Sequence, residues 1–323
     1  MTSPTSDTEY ADPAADEVVA DLRALDPDGS RTARVLRRTF DQLYDGQRTG
    51  RYAMEQLFKT EKTHFGTLVE INLQRELGLS DGALLDFRIA GHEVDCKYSH
   101  TGAWMLPVES FGHLVLVIQA DDRASRWSAG VVRVSEENRR TSENRDRKTG
   151  LNALGRSRIR WIHHDEAMPP NALLKLPPAS VGRIMEPRSG QARVNELFRR
   201  AVGMRLTRTI IATVAQQDDF MKRVRANGGA RTALRPEGYL ILSGDYLVQQ
   251  AIARELGVEV PEAGELVSVR VTPAGPSEGV KIGGQWWRVR APGELPSAAA
   301  PSIEHVSAAE AELRQAASRL ART

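Results

Sequence analysis

The apolar positions of this chain change period several times, and each change marks an element. After Ser30, a candidate N-cap, the residues Val35, Leu36, Phe40, Leu43 and Tyr44 recur at helical spacing, and Gly46 closes the run. Phe65, Leu68, Val69, Leu73 and Leu77 form the apolar stripe of a second helix over about 63–77, stopped by Gly78, with Glu70 close beside the stripe. The period then shortens. LLDFRI and HEVDCKYS flank Ala90-Gly91, which predicts a hairpin. HLVLVIQA (113–120) is a continuous apolar run and reads as a strand buried on both faces, and WSAGVVRVS (127–135) as another strand. Helices followed by a mixed sheet predict an α/β domain over 30–165.

The pattern changes character beyond that domain. Residues 139–160 read as a long polar loop leading into a short helix, and Pro169, Pro170, Pro177 and Pro178 punctuate a linker over 166–180. A second domain is expected over 181–291. It opens with a helix at 191–203, followed by two short helices at 207–215 and 216–229 with helix-turn-helix spacing. A strand (238–244), a helix (245–257), a strand (266–272) and a hairpin (280–290) complete what reads as a winged helix. The Ala/Pro-rich tail (292–323) carries Val306, Leu313 and Leu320 seven apart, and residues 1–29 read as a disordered acidic lead.

Composition narrows the function classes. The 323 residues are enough for two cores, and 41% hydrophobic content with a mean hydropathy of -0.40 describes a soluble globular chain. No apolar run approaches the roughly 18–20 residues of a membrane span, and the polar N-terminus has no signal-peptide core. Cys96 is the one cysteine, so no internal disulfide can form and a cytoplasmic setting is expected. Six of the seven histidines (His64, His92, His100, His113, His163, His164) form no pattern with it that suggests zinc. Net charge is +2, but residues 1–30 carry -7, which leaves +9 on the rest. Of the 44 basic residues 37 are arginine, the side chain that grips phosphate and guanine edges in pairs of hydrogen bonds.

The chemistry concentrates between Glu70 and Lys97. Asp86 lies on one arm of the predicted hairpin, and Asp95 and Lys97 lie two apart on the other, on the same face. Hydrolysis of a phosphodiester needs a nucleophilic water, neutralised phosphate charge and a stabilised leaving oxygen, and Mg²⁺ held by two or three carboxylates can serve all three. Asp86 and Asp95 are the candidate direct ligands, Glu70 a support through water or a second ion, and Lys97 the group that orients the water.

This arrangement, an Asp, a spacer and Asp-x-Lys on a hairpin after a helical Glu, resembles the PD-(D/E)xK nuclease superfamily. Leu84-Leu85 precede Asp86 where the motif's name has proline. The segments DQLYDGQRTGRY (41–52), HFGTLVEINLQREL (64–77), DFRIAGHEVDCKYS (86–99) and TVAQQDDFMKRVRANGG (213–229) are similar to the NaeI-type restriction endonucleases, over about residues 33–290. The resemblance implies a homodimeric, Mg²⁺-dependent type IIE enzyme acting on double-stranded DNA. Its N-terminal restriction-endonuclease-like domain would cut, and its C-terminal winged-helix domain would bind an effector copy of the site. Carried across, the catalytic set falls on Glu70, Asp86, Asp95 and Lys97.

Two basic groups are the candidate DNA contacts. Lys222, Arg223 and Arg225 lie on the expected recognition helix with Arg231 just after it. Arg145, Arg147, Lys148, Arg156 and Arg158 belong to the 139–160 run, which carries eight bases against two acids. Trp286-Trp287 read as packing residues. The residues themselves leave three classes open: a site-specific endonuclease, a winged-helix regulator with an inert nuclease-like domain, and a structure-specific repair or recombination nuclease.

Overall fold

The computed structural model describes residues 11–142 and 144–303. Residues 1–10 of the acidic lead, and Val306, Leu313 and Leu320 of the tail, lie outside the described residues. Two compact units emerge. The first runs to Leu43 and resumes from Ala53 to Asn171; the second takes Tyr44–Tyr52 and everything from Ala172 on.

Helix α1 (Pro13–Leu25) corrects the expectation of a disordered lead for residues 11–29. Asp12 caps it by accepting from the Ala15 amide, Pro13 starts it, and Ala15, Val18, Val19 and Leu22 bury one face. The acidic charge is matched as well. Arg133 grips the Asp12 carboxylate with two hydrogen bonds of 2.8 Å, and Arg160 pairs with Asp16. Helix α2 (Ser30–Tyr44) begins where expected, but its cap lies upstream of Ser30. Asp26 accepts from the Arg31 and Thr32 amides, and Asp28 from that of Ser30. A short turn, α3 (Gly46–Thr49), belongs to the second unit. Helix α4 (Lys59–Leu77) carries Glu70 and ends on Gly78 in the left-handed conformation.

The strands β1 (Ser80–Asp81), β2 (Phe87–Ile89), β3 (His92–Ser99), β4 (Leu114–Asp121), β5 (Arg126–Arg133) and β6 (Arg160–Ala167) form one sheet in that order. Only the β3–β4 pairing is parallel, so the sheet is mixed as expected. Strand β4 is buried on both faces. Val115 and Val117 pack with Trp104, Leu106, Val132 and Val134, while Leu116 and Ile118 turn toward Leu22, Leu73 and Leu77. Strand β6 has no counterpart among the elements expected from sequence, because His163, His164, Asp165 and Glu166 give no apolar period. Helix α5 (Ala153–Ser157) closes the basic loop before it.

The second unit contains α6 (Ala172–Lys175), α7 (Pro178–Met185), α8 (Gly190–Arg200), β7 (Leu206–Thr207), α9 (Arg208–Ala215), α10 (Ala230–Leu234), β8 (Tyr239–Ser243), α11 (Leu247–Glu255), β9 (Glu265–Pro273), β10 (Val280–Ile282) and β11 (Gln285–Val289). Its strands pair antiparallel around β9. Helices α8 to α10 share one core with Val194, Leu197, Phe198, Ile211 and Leu234. Trp287 is buried in the other, with Ile282 and Val271. Ala300 and Ile303 join that second core, so the start of the tail packs.

Residues 216–229 do not form the expected recognition helix. Gln216 ends α9 with φ of 50°, a single 3₁₀ turn spans Phe220–Arg223, and the next helix starts at Ala230. Gly228 takes φ of 77°, and a Cβ on Gly229 would lie 2.5 Å from backbone atoms of Arg225, so the chain turns there rather than continuing a helix.

Candidate functional site

The hairpin between β2 and β3 turns on Ala90 and Gly91, with φ of 50° and 83°. Two consecutive left-handed residues match the right-handed twist of the strands and fix the register of β3. Asp95 and Lys97 therefore share one face of β3, and Val94 and Cys96 the other. Helix α4 crosses close to this strand: a Cβ on Gly66 would meet Tyr98 Cβ at 3.9 Å, and the Phe65 and Tyr98 rings are centred 4.6 Å apart. Glu70 follows Gly66 by one turn, on the side facing β3.

Strand β2 pairs with β3 only as far as Phe87 opposite Val94. One step further along, the Asp86 side chain takes over the role of a strand. Its Oδ2 accepts from the Cys96 amide at 2.7 Å. The same oxygen lies 3.7 Å from Lys97 Nζ, which donates to Asp95 Oδ1 at 2.5 Å and to the Cys96 carbonyl at 2.9 Å. The structure thus brings Asp86, Asp95 and Lys97 into one cluster. Burial raises the Glu70 pKa above the ordinary carboxylate value, with Asp86 adding to the shift and Lys97 opposing it, so Glu70 shares the field of the cluster.

The electrostatics are those of crowded carboxylates. Burial pushes the Asp95 carboxyl up to about 6, against the pull of Lys97 and with help from Asp86. Burial alone would lower the Lys97 pKa, but the Asp95 carboxylate outweighs it and the ammonium is held charged. Asp95 Oδ2 is buried and accepts no hydrogen bond. An orphaned carboxylate oxygen beside a second and third carboxylate is a demand for positive charge that one ammonium does not fill. Among the described residues no group of three or more His, Cys, Asp or Glu side chains is placed to hold a metal ion between them. A hard cation that keeps part of its water needs only one or two carboxylates, and the all-oxygen donors Asp86 and Asp95, with Glu70 nearby, fit that requirement. Burial raises the Cys96 thiol pKa well above its ordinary value, which leaves it a core residue and not a nucleophile.

The basic run separates into exposed and built-in members. Arg145, Arg147 and Lys148 are exposed on a tight turn in which Asn144 Oδ1 accepts from the Asp146 and Lys148 amides. Arg156 donates to the Gly102 carbonyl at 2.8 Å and lies over the Trp104 ring. Arg158 is held by Glu137 and Asn138, both at 2.9 Å, and acts as an internal strut. Arg140, Asn144, Lys148 and Arg156 line a concave pocket of about 260 Å³ with Trp104 and Met105. Arg140 was in the run but not singled out by sequence; its place in the pocket follows from the bridge that joins Leu106 to Thr149.

In the second unit Arg225 is exposed, whereas Lys222 and Arg223 both pair with Asp219. Arg231 is not on that exposed face. It is largely buried, donates to Gln249 Oε1 at 3.3 Å, and burial lowers its pKa. No helix among the described residues is long and apolar enough to cross a membrane.

Comparison with known proteins places this geometry in context. Residues 16–297 match the family model described as restriction endonuclease NaeI. The chain is 50% identical over 314 residues to the type II restriction enzyme NaeI of Lentzea aerocolonigenes, an alignment that covers 93% of this chain and 98% of that protein.

Proposed function

The chain belongs to the NaeI restriction endonuclease family of site-specific DNA-cleaving type II enzymes, and from that premise we propose that Glu70, Asp86, Asp95 and Lys97 carry the cut. The observation behind this assignment is the Lys97 ammonium held by Asp95 and beside Asp86 while Asp95 Oδ2 stays buried without a partner. Mg²⁺ at Asp86 and Asp95, supported by Glu70, would supply charge neutralisation and an activated water. Lys97 holds a proton-rich, positively charged group where the attacked phosphate would sit, and its hydrogen bond from Nζ to Asp95 fixes that position. The Asp86 bond to the Cys96 amide locks one ligand to the strand that carries the other. Together these features support a place in the PD-(D/E)xK superfamily.

The first unit grips DNA through the exposed bases around the pocket, Arg140, Arg145, Arg147, Lys148 and Arg156. The second unit binds an effector copy of the site. Its helices α8 to α10 followed by the β9–β11 strands support a winged-helix reading in which the 3₁₀ turn and Arg225, rather than a continuous helix, face the DNA. Cutting both strands of one site calls for two active sites, and with one such cluster per chain this supports a homodimer. The test is incubation of the purified protein with a sequenced plasmid, with and without Mg²⁺, and mapping of the ends. Fragments ending at one sequence only when Mg²⁺ is present are expected; absence of metal-dependent cutting rejects the assignment.

A further inference from the structure

Glu93 lies two residues before Asp95 on β3, outside the cluster of Asp86, Asp95 and Lys97. Its carboxylate is nonetheless the most heavily engaged acceptor near the site. Oε1 accepts from the Ala83 amide at 2.9 Å, and Oε2 accepts from the Leu84 and Leu85 amides at 2.9 and 3.0 Å. These three amides are consecutive, and the next residue is Asp86. The loop they form closes on itself, with the Gly82 amide reaching the Asp86 carbonyl at 3.3 Å. Gly82 admits no side chain here: a Cβ would lie 2.2 Å from the Leu85 carbonyl oxygen and 2.8 Å from Glu93 Oε2.

We propose that Glu93 is a positioning residue for cleavage, a clamp on the backbone of 83–85 that sets the Asp86 carboxylate against Cys96 and Lys97. Three successive amides aimed at one point form an anion-binding concavity, and Glu93 supplies the anion from within the chain. Beyond Glu93, loop and strand are joined at this point through the ladder that stops at Phe87 and through the Asp86 carboxylate itself. Without the clamp, β2 still pairs, but the residue just beyond its end loses the constraint that aims it. Leu84 shows how local the constraint is: its side chain is 76% exposed while its amide is bonded, so the loop is held by Glu93 and not by apolar burial. Glu93 itself is turned to the amides, with both carboxylate oxygens engaged.

This inference rests on Asp86 being catalytic, so Asp86→Ala runs beside Glu93→Gln and Glu93→Ala. Single-turnover cleavage of a plasmid is measured below the melting temperature of every variant, with DNA affinity measured separately. Glu93→Ala is expected to lose about 10- to 100-fold in rate, as supporting residues around metal ligands do. Glu93→Gln, which keeps one accepting oxygen, loses less. DNA affinity stays within twofold for both. A folded Glu93→Ala that cuts within twofold of the parent overturns the clamp; if Asp86→Ala also cuts normally, the assignment of the site itself falls. Hydrogen exchange in the unmodified chain gives a reading independent of activity. The amides of 83–85 are expected to exchange at least about tenfold slower than in an unstructured peptide despite the exposed Leu84. Exchange at the unstructured rate overturns the proposal even if both variants fail to fold.

Discussion

Asp95→Asn separates what this residue does for folding from what it does for cutting. The folded protein holds the Asp95 carboxyl at about 6 against an ordinary 3.8, chiefly because it is buried. A folded pKa above the unfolded one means that the ionised form is disfavoured by the fold. The residue therefore supports folding fully below about pH 4, and that support is lost as pH rises through about 6. A gap of about two pKa units corresponds to roughly 3 kcal/mol at neutral pH. The attraction to Lys97 is already inside that gap, so removing the charge can return about 3 kcal/mol at most. Asparagine keeps a carbonyl that can accept from Lys97 Nζ but makes a weaker bond than the carboxylate does. The expected gain at pH 7.5 in chelator is about 1–3 kcal/mol, or roughly 2–10 °C in the melting of a unit of this size. The gain should vanish near pH 4, where the parent residue is also neutral. Plasmid cleavage by the same variant should fall about 10³-fold or more. Thermal melts at pH 4 and 7.5, paired with cleavage assays, decide the matter. A variant that melts at or below the parent at pH 7.5, or whose gain is the same at both pH values, refutes the reasoning.

Other outcomes follow from the same geometry. Arg37 spans from α2 to Asp122 and Asp41 in a buried network, so Arg37→Ala should destabilise the first unit by about 3–5 kcal/mol. Burial raises Asp41 to about 6, so the deficit in a urea titration should be larger at pH 8 than at pH 5; equal stability to the parent at both contradicts the network. Arg225→Ala should weaken DNA binding and flatten its salt dependence by about one ion, while Arg158→Ala should lower melting temperature instead; reversed results would exchange their roles. A plasmid with one recognition site should be cut slowly and be accelerated by added site-bearing oligonucleotide; no acceleration at any concentration counts against an effector site.

How much was legible in sequence depended on whether local pattern set the geometry. Ala90-Gly91 between two alternating runs fixed the hairpin, and the hairpin fixed Asp95 and Lys97 on one face. Gly78 and the stripe through Leu77 placed Glu70 on α4. The misses have physical causes. In α1, eight acids in thirty residues hid four apolar positions at helical spacing, and the arginines that neutralise two of the acids are more than a hundred residues away. At 216–229 the basic residues suggested a helix, but Gly228-Gly229 and the left-handed Gln216 break it. Arg231 looked like its neighbours in sequence, and only packing shows that it turns inward. Glu93 was unreadable because its role depends on a loop that folds back over ten residues. The grouping of Tyr44–Tyr52 with the second unit likewise has no local signal.

The central claim is that the Asp86–Asp95–Lys97 cluster cuts DNA at one sequence with the help of a divalent cation. Its most direct test compares the parent protein with Asp95→Ala on one sequenced plasmid in Mg²⁺, with DNA binding followed in parallel. The parent should give discrete fragments that end at a single sequence, and Asp95→Ala should bind the same DNA and leave it whole. Cutting by Asp95→Ala at the parent rate would contradict the account.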